Sequence, residues 1–111
     1  MMRDRRNVLM VFFDLPATSK KARKAYRDFI KFLKNNSYLM LQESVYIKLL
    51  HYDSNAAAEI SDVEKNAPAE GNVMVMKLSY AQFSKMKQIR GAVSGMACFD
   101  ISGFSENFLC I

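Results

Sequence analysis

The sequence predicts one α+β domain with a ferredoxin-like β-α-β-β-α-β order and an antiparallel sheet. Three observations lead there. The chain has 111 residues, about the size of one domain. It opens with a short continuous apolar run, Val8 to Phe13, of strand length. It then alternates segments of helical and strand period, with no internal repeat, low-complexity stretch or long linker. Half of the residues are apolar and 24% are charged, with 8 Phe and 5 Tyr, which is enough for one core and excludes a disordered chain.

Asn7 to Phe13, bounded by charge before and by Asp14-Leu15-Pro16 after, reads as a central strand buried on both faces. Pro16 cannot donate to a ladder, and Thr18 or Ser19 is placed to cap the helix that follows. From Ser19 to Asn35, Ala22, Ala25, Tyr26, Phe29, Ile30 and Leu33 recur at spacings of three and four, the apolar face of an amphipathic helix. Asn35-Asn36-Ser37 ends it. Tyr38 to Leu41 and Ser44 to Leu50 then read as two short strands joined around Gln42-Glu43 in a hairpin. Asp53 or Ser54 can cap a second helix to about Asn66, with Ala56, Ala57, Ile60 and Val63 on one face and with Pro68 and Gly71 beyond its end. Val73 to Leu78 alternates Val and Met in a further strand, read as buried, and Gln82 to Lys87 as a helical turn. The single domain thus spans residues 1–111, with a basic leader at 1–6 and an irregular segment at 88–111. The apolar end of that segment, Phe108 to Ile111, is expected to add to a sheet edge, that of a second copy included.

Net charge is +5, and its distribution is lopsided. Residues 1–48 hold eleven basic and four acidic side chains, +7; residues 49–111 hold five and seven, −2. An anionic partner belongs on the N-terminal half. Cys98 and Cys110 are too few for a disulfide framework and lack zinc-site spacing, so buried thiols are the expectation. The first apolar run is too short for a signal peptide or a membrane span. The expectation is a cytoplasmic protein with no membrane partner.

Two features carry chemistry. Asp14 ends a buried apolar strand, where a carboxylate is costly unless it meets water, a cation or donors at the sheet's mouth. A turn-forming role is the competing reading. One carboxylate suffices for Mg²⁺ (or Mn²⁺) only with several waters, and a two-fold axis beside Asp14 would supply a second. On the first helix, Lys20, Lys24, Arg27, Lys31 and Lys34 fall at intervals of four, three, four and three along one face, with Lys21 and Arg23 beside them and Asp28 the only acid. Seven like charges forgo the i to i+4 pairs of an ordinary solvated face, which points to a phosphate-backbone track, with an ordinary soluble surface as the competing reading. Arg3, Arg5 and Arg6 could extend it. His51 is read as a surface residue at a strand end, the Met residues, Met74 and Met76 among them, as core filler, and Asp100 as a turn residue. No nucleotide-binding loop, dinucleotide fingerprint or nucleophilic triad is present.

Three stretches taken together resemble a known family: Val11-Phe12-Phe13-Asp14-Leu15-Pro16, Ala25-Tyr26-Arg27-Asp28-Phe29-Ile30-Lys31-Phe32-Leu33, and Leu41-Gln42-Glu43-Ser44-Val45-Tyr46. They look like the CRISPR-associated adaptation subunit, the second of the two universal spacer-acquisition proteins, and most like its type II branch. The similarity spans residues 7 to about 85 and includes Gly71-Asn72-Val73. The resemblance implies a homodimer in which two copies of Asp14 face each other and share a divalent metal, with Ser44 and Tyr46 as motif residues near the dimer centre. It further implies Mg²⁺-dependent endonuclease activity on RNA or DNA, and a bridging role between dimers of the CRISPR integrase subunit while holding protospacer duplex DNA. A purely non-catalytic nucleic-acid-binding scaffold is the alternative. A two-component receiver is disfavoured for want of an acidic pair and an acceptor Asp, and an RNA-recognition module for want of aromatic residues in Val73 to Leu78.

Overall fold

The first apolar run becomes the strand that two others flank. The computed structural model describes residues 5–52 and 54–91. In chain order it contains β1 (Asn7–Asp14), α1 (Lys20–Asn35), β2 (Leu39–Gln42), β3 (Val45–Leu49), α2 (Ala56–Asn66), β4 (Asn72–Ser79) and α3 (Tyr80–Ser84). The sheet order is β2-β3-β1-β4, and every neighbouring pair is antiparallel. This is the expected α+β, ferredoxin-like arrangement. The expectations on Cys98, Asp100, Cys110 and Phe108 to Ile111 lie outside the described residues.

Strand alternation sorts β1 into two faces. Leu9, Val11 and Phe13 pack in one core with Phe29 and Leu33 of α1, Val63 of α2 and Tyr46 of β3. Val8 and Met10 face the other way, into a smaller cluster with Ile47 and Phe83, against which Phe12, Val45, Leu78 and Met86 rest. Phe13 anchors the larger core through edge contacts with Tyr26 and Phe29, at 6.1 and 5.4 Å between ring centres. The fourth strand departs from expectation. It lies at the sheet's edge and turns Met74 and Met76 to the face away from α1 and α2, so they are 65% and 49% exposed rather than core filler, while Val73 and Val75 pack on the larger core.

Helix ends follow local chemistry. Ser19, not Thr18, caps α1, its Oγ accepting from Ala22 N at 3.0 Å. The far end closes in a Schellman motif. Ser37 takes φ 70°, Ser37 N donates to Lys34 O, and Tyr38 N donates to Leu33 O at 2.9 Å. Tyr38 is thereby delivered beside Leu33 in the core, and β2 begins at Leu39, one residue later than the sequence suggests. The α2 cap is Asn55, whose Oδ1 accepts from Ala57 N and Ala58 N. Ser54 is engaged instead in the preceding turn, where its Oγ accepts from His51 N at 3.2 Å. The last helix begins at Tyr80 rather than Gln82, because Ser79 and Gln82 form a reciprocal capping box.

A half-buried ion pair ties the sheet to α2: Lys48 Nζ lies 2.7 Å from Glu59 Oε1 and 5.4 Å from the centre of the Tyr38 ring. Tyr38 is buried, and its hydroxyl has no hydrogen-bond partner among the described residues. Burial pushes its pKa up to about 12, with the negative charges of Glu59 and Asp62 adding to the effect. An unfolded tyrosine ionises near ~10, so this residue's contribution to stability is fully present below that pH and is lost as pH rises through about 12. Tyr38→Phe is expected to stay within about 1 kcal/mol of the parent at neutral pH, since no hydrogen bond is lost, and to gain relative to it at pH 11. Urea unfolding at the two pH values checks this; parallel losses in parent and variant would count against it.

Candidate functional site

Asp14 is the last residue of β1, exposed, and directly opposite Asn72, the first residue of β4. Alternation places it on the face of Val8, Met10 and Phe12, away from α1 and α2. Backbone constraints frame it on both sides. Toward β4, Gly71 has φ 94°, and a Cβ there would stand 2.7 Å from the Asp14 carbonyl oxygen and 2.8 Å from Leu15 Cδ2. Only glycine lets the α2–β4 loop close over the end of β1. Toward β3, Ser44 sits in the hairpin turn at φ 67°, and its carbonyl accepts from Phe13 N at 3.1 Å.

The surroundings of Asp14 suit a hard cation. The carboxylate faces water, and among the described residues no Lys or Arg forms an ion pair with it. No group of three or more His, Cys, Asp or Glu that could hold a metal occurs among those residues, so they offer no complete protein donor set around Asp14. Mg²⁺ and Mn²⁺ accept that arrangement when waters or a second copy supply the remaining oxygens. The residues present therefore fit the expected ion.

Tyr46 is placed differently from Asp14. It pairs with Val11, is 4% exposed, and stacks on Phe13 at 5.8 Å, on the sheet face that α1 and α2 cover. Burial raises its pKa, with Tyr26 contributing. The fold does not bring the Tyr46 and Asp14 side chains together within one chain. Ser44 is near Asp14 through its backbone, as described above. His51 is exposed just beyond β3, as the sequence suggests.

Lys20, Lys24, Arg27, Lys31 and Lys34 are all exposed along α1, as are Lys21 and Arg23. The stripe is not wholly without pairing: Lys24 Nζ lies 2.8 Å from Asp28 Oδ2 at an i to i+4 spacing. That hydrogen bond holds the Asp28 carboxyl below its ordinary range, and the charges of Lys24, Arg27 and Lys31 lower it further. So exposed a pair contributes little to stability. It does occupy one of the five cations. Arg27, Lys31 and Lys34 keep the continuous stretch, lining a shallow depression with Tyr26, Ile30 and Asn35. Because α1 packs on the sheet face opposite Asp14, the cationic track and the carboxylate lie on different sides of the sheet.

The family model for CRISPR associated protein Cas2 matches residues 7–86, from the start of β1 to just past α3. The chain belongs to the Cas2 family. Among curated relatives, the CRISPR-associated endoribonuclease Cas2 of Acidovorax ebreus (strain TPSY) is 41% identical over 83 residues, covering 75% of this chain and 81% of the relative. That of Streptococcus mutans serotype c (strain NN2025) is 37% identical, over 75% and 78% of the two chains. The Cas2 of Campylobacter jejuni is 31% identical over 115 residues, covering 96% of this chain and 80% of its own. No helix among the described residues is long and apolar enough to cross a membrane.

Sequence reasoning identified Asp14 as a strand end but gave no role to Gly71 beyond punctuation. Its signal was a lone glycine two residues before an apolar alternation. Gly71→Ala is expected to lower stability by about 1–3 kcal/mol, from the positive φ together with the contact on Asp14. A denaturation midpoint unchanged from the parent would show that the loop does not need this close approach.

Proposed function

We propose that this Cas2-family chain is a CRISPR adaptation subunit that binds the backbone of duplex DNA along α1, with a separate endonuclease site built on Asp14. The observation that carries the reading is the exposed cationic face of α1, centred on Arg27, Lys31 and Lys34, with Lys20 and Lys24 extending it. Lysine and arginine at these spacings follow phosphates rather than base edges, so binding is independent of sequence and steeply salt-dependent. The partners in this reading are protospacer duplex, the CRISPR integrase subunit and a second copy of the chain, in the cytoplasm. Support for the homodimer comes from the apolar face that carries Asp14, on which Leu39, Met74 and Met76 are exposed.

Curated relatives are named endoribonucleases, which supports a phosphodiester-cleaving role for Asp14 here, on RNA or DNA. A divalent cation such as Mg²⁺ or Mn²⁺, when bound, would lower the pKa of a water and stabilise the departing oxygen. Asp14 of each copy would hold it, the frame of Gly71 and Ser44 setting the carboxylate's position. Ser44 and Tyr46 act in this reading through structure, Ser44 by closing the hairpin beside β1 and Tyr46 by packing under Phe13. A non-catalytic scaffold is the second reading, and the separation of the cationic track from Asp14 favours it: duplex can be held without engaging the carboxylate.

The two roles separate by substitution. Replacing Arg27, Lys31 and Lys34 together by Gln is expected to reduce the slope of log affinity against log salt by about 2 to 3, near one unit per lost phosphate contact. An unchanged slope in the folded variant would place the DNA elsewhere. Asp14→Asn is expected to leave duplex binding in EDTA unaltered and to lower Mg²⁺-dependent cleavage by at least ~100-fold. Cleavage that survives the substitution would remove the nuclease assignment, and normal spacer integration by the variant with its integrase would leave the scaffold alone.

A further inference from the structure

We propose that Asn72 is the second oxygen donor of the Asp14 cation site, a neutral ligand supplied across the strand pair; this rests on the reading of Asp14 as a metal ligand. The β1–β4 ladder runs in unbroken register from Asn7↔Ser79 to Asp14↔Asn72. The last pair stands at its open end, with both residues exposed. Side chains of directly opposed residues emerge on the same face, with Cβ atoms about 4.5–5.5 Å apart. An ion coordinated by one is therefore within reach of the other. Gly71 secures the pairing, because its close approach to the Asp14 carbonyl holds the first residue of β4 against the last of β1.

The local chemistry of Asn72 differs from that of the asparagines that close turns and helix ends. Asparagine is depleted in strands and at loop exits ordinarily bonds nearby backbone. Three others here do so: Asn36 Nδ2 donates to Phe32 O, Asn55 Oδ1 accepts from Ala57 N, and Asn66 Nδ2 donates to Asp62 O. The side chains of Asn7, Asn35 and Asn72 make no such bond to a described residue, and of these three only Asn72 stands opposite a carboxylate in the ladder, that of Asp14, which is itself without one. Asn72 is thus not explained as a turn or cap residue, and its side chain leaves the ladder on the same face as the Asp14 carboxylate. An amide oxygen adds a ligand without adding charge. A carboxylate at the same position would place two like charges directly opposite each other in the metal-free protein, a destabilising arrangement. Asn72 lets the pair stand without the ion and still contribute when the ion arrives.

Full-length Asn72→Ala and Asn72→Asp proteins, titrated with Mn²⁺ by calorimetry and melted with Mn²⁺ or EDTA, test this beside Asp14→Asn. Asn72→Ala is expected to bind Mn²⁺ at least about 10-fold more weakly, since losing even a group that only supports a ligand costs a metal site about that much. Asn72→Asp should melt below the parent in EDTA, recover with Mn²⁺, and bind it about 10-fold more tightly. If Asp14→Asn abolishes Mn²⁺ binding while both Asn72 variants keep parental affinity, the role of Asn72 is overturned and the Asp14 site stands. If Asp14→Asn binds Mn²⁺ as the parent does, the underlying reading fails and this inference with it. An Asn72→Asp melting temperature that equals the parent's in EDTA and rises no further with Mn²⁺ would also overturn the proposal, since the two carboxylates would then not face each other.

Discussion

The pairing of β1 on both edges and its burial on both faces is the constraint from which the rest of the molecule follows. Val8, Leu9 and Val11 are fully buried, and Met10 and Phe13 nearly so. Each such side chain contributes about 1.5–3 kcal/mol when removed from water. A one-residue slip against β3 or β4 would exchange the two faces and expose the larger core to the smaller, so the register is strongly specified. That register is what brings Asp14 to the end of the ladder, where the apolar run meets solvent.

Because β1 is two-sided, the sheet separates two chemistries. Helices α1 and α2 occupy one face, and α1 turns its charge outward, so its cations gather at a distance from the carboxylate on the other. The apolar face that carries Asp14 is only partly covered by α3 and Met86 among the described residues. A protein that had to hold a polyanion and a divalent cation would lose cation affinity if lysines crowded the carboxylate. A sheet between them would avoid this conflict. The single i to i+4 pair, Lys24 with Asp28, only modestly offsets the repulsion along α1.

Much of this was legible in the residues. The 3.6-residue period of α1 located its core face, and Phe29 and Leu33 are buried where it predicts. Exposure of the basic stripe followed from the same period. Helix starts were legible less often. Ser79-x-x-Gln82 carries the capping-box signature, so the true start of α3 was readable, whereas the choice of Asn55 over Ser54 was not. Both can cap, and the decision fell to the turn that engages the Ser54 hydroxyl with His51 N. The exposure of Met74 and Met76 was equally hidden, since alternating Val and Met reads alike in a central and an edge strand.

By itself the sequence determined the element order, the helix faces, the strand nature of the first apolar run and the candidacy of Asp14 and the α1 cations, because these depend on periodicity and on the types of neighbouring residues. Tertiary structure decided what depends on which strands meet. It put β4 at an edge, Tyr46 on the covered face away from Asp14, Lys48 against Glu59 across 11 positions of chain, and Asn72 opposite Asp14. Those juxtapositions join residues far apart in the chain, and no local period encodes them; they arise only when the apolar faces are buried together and the ladder register is set.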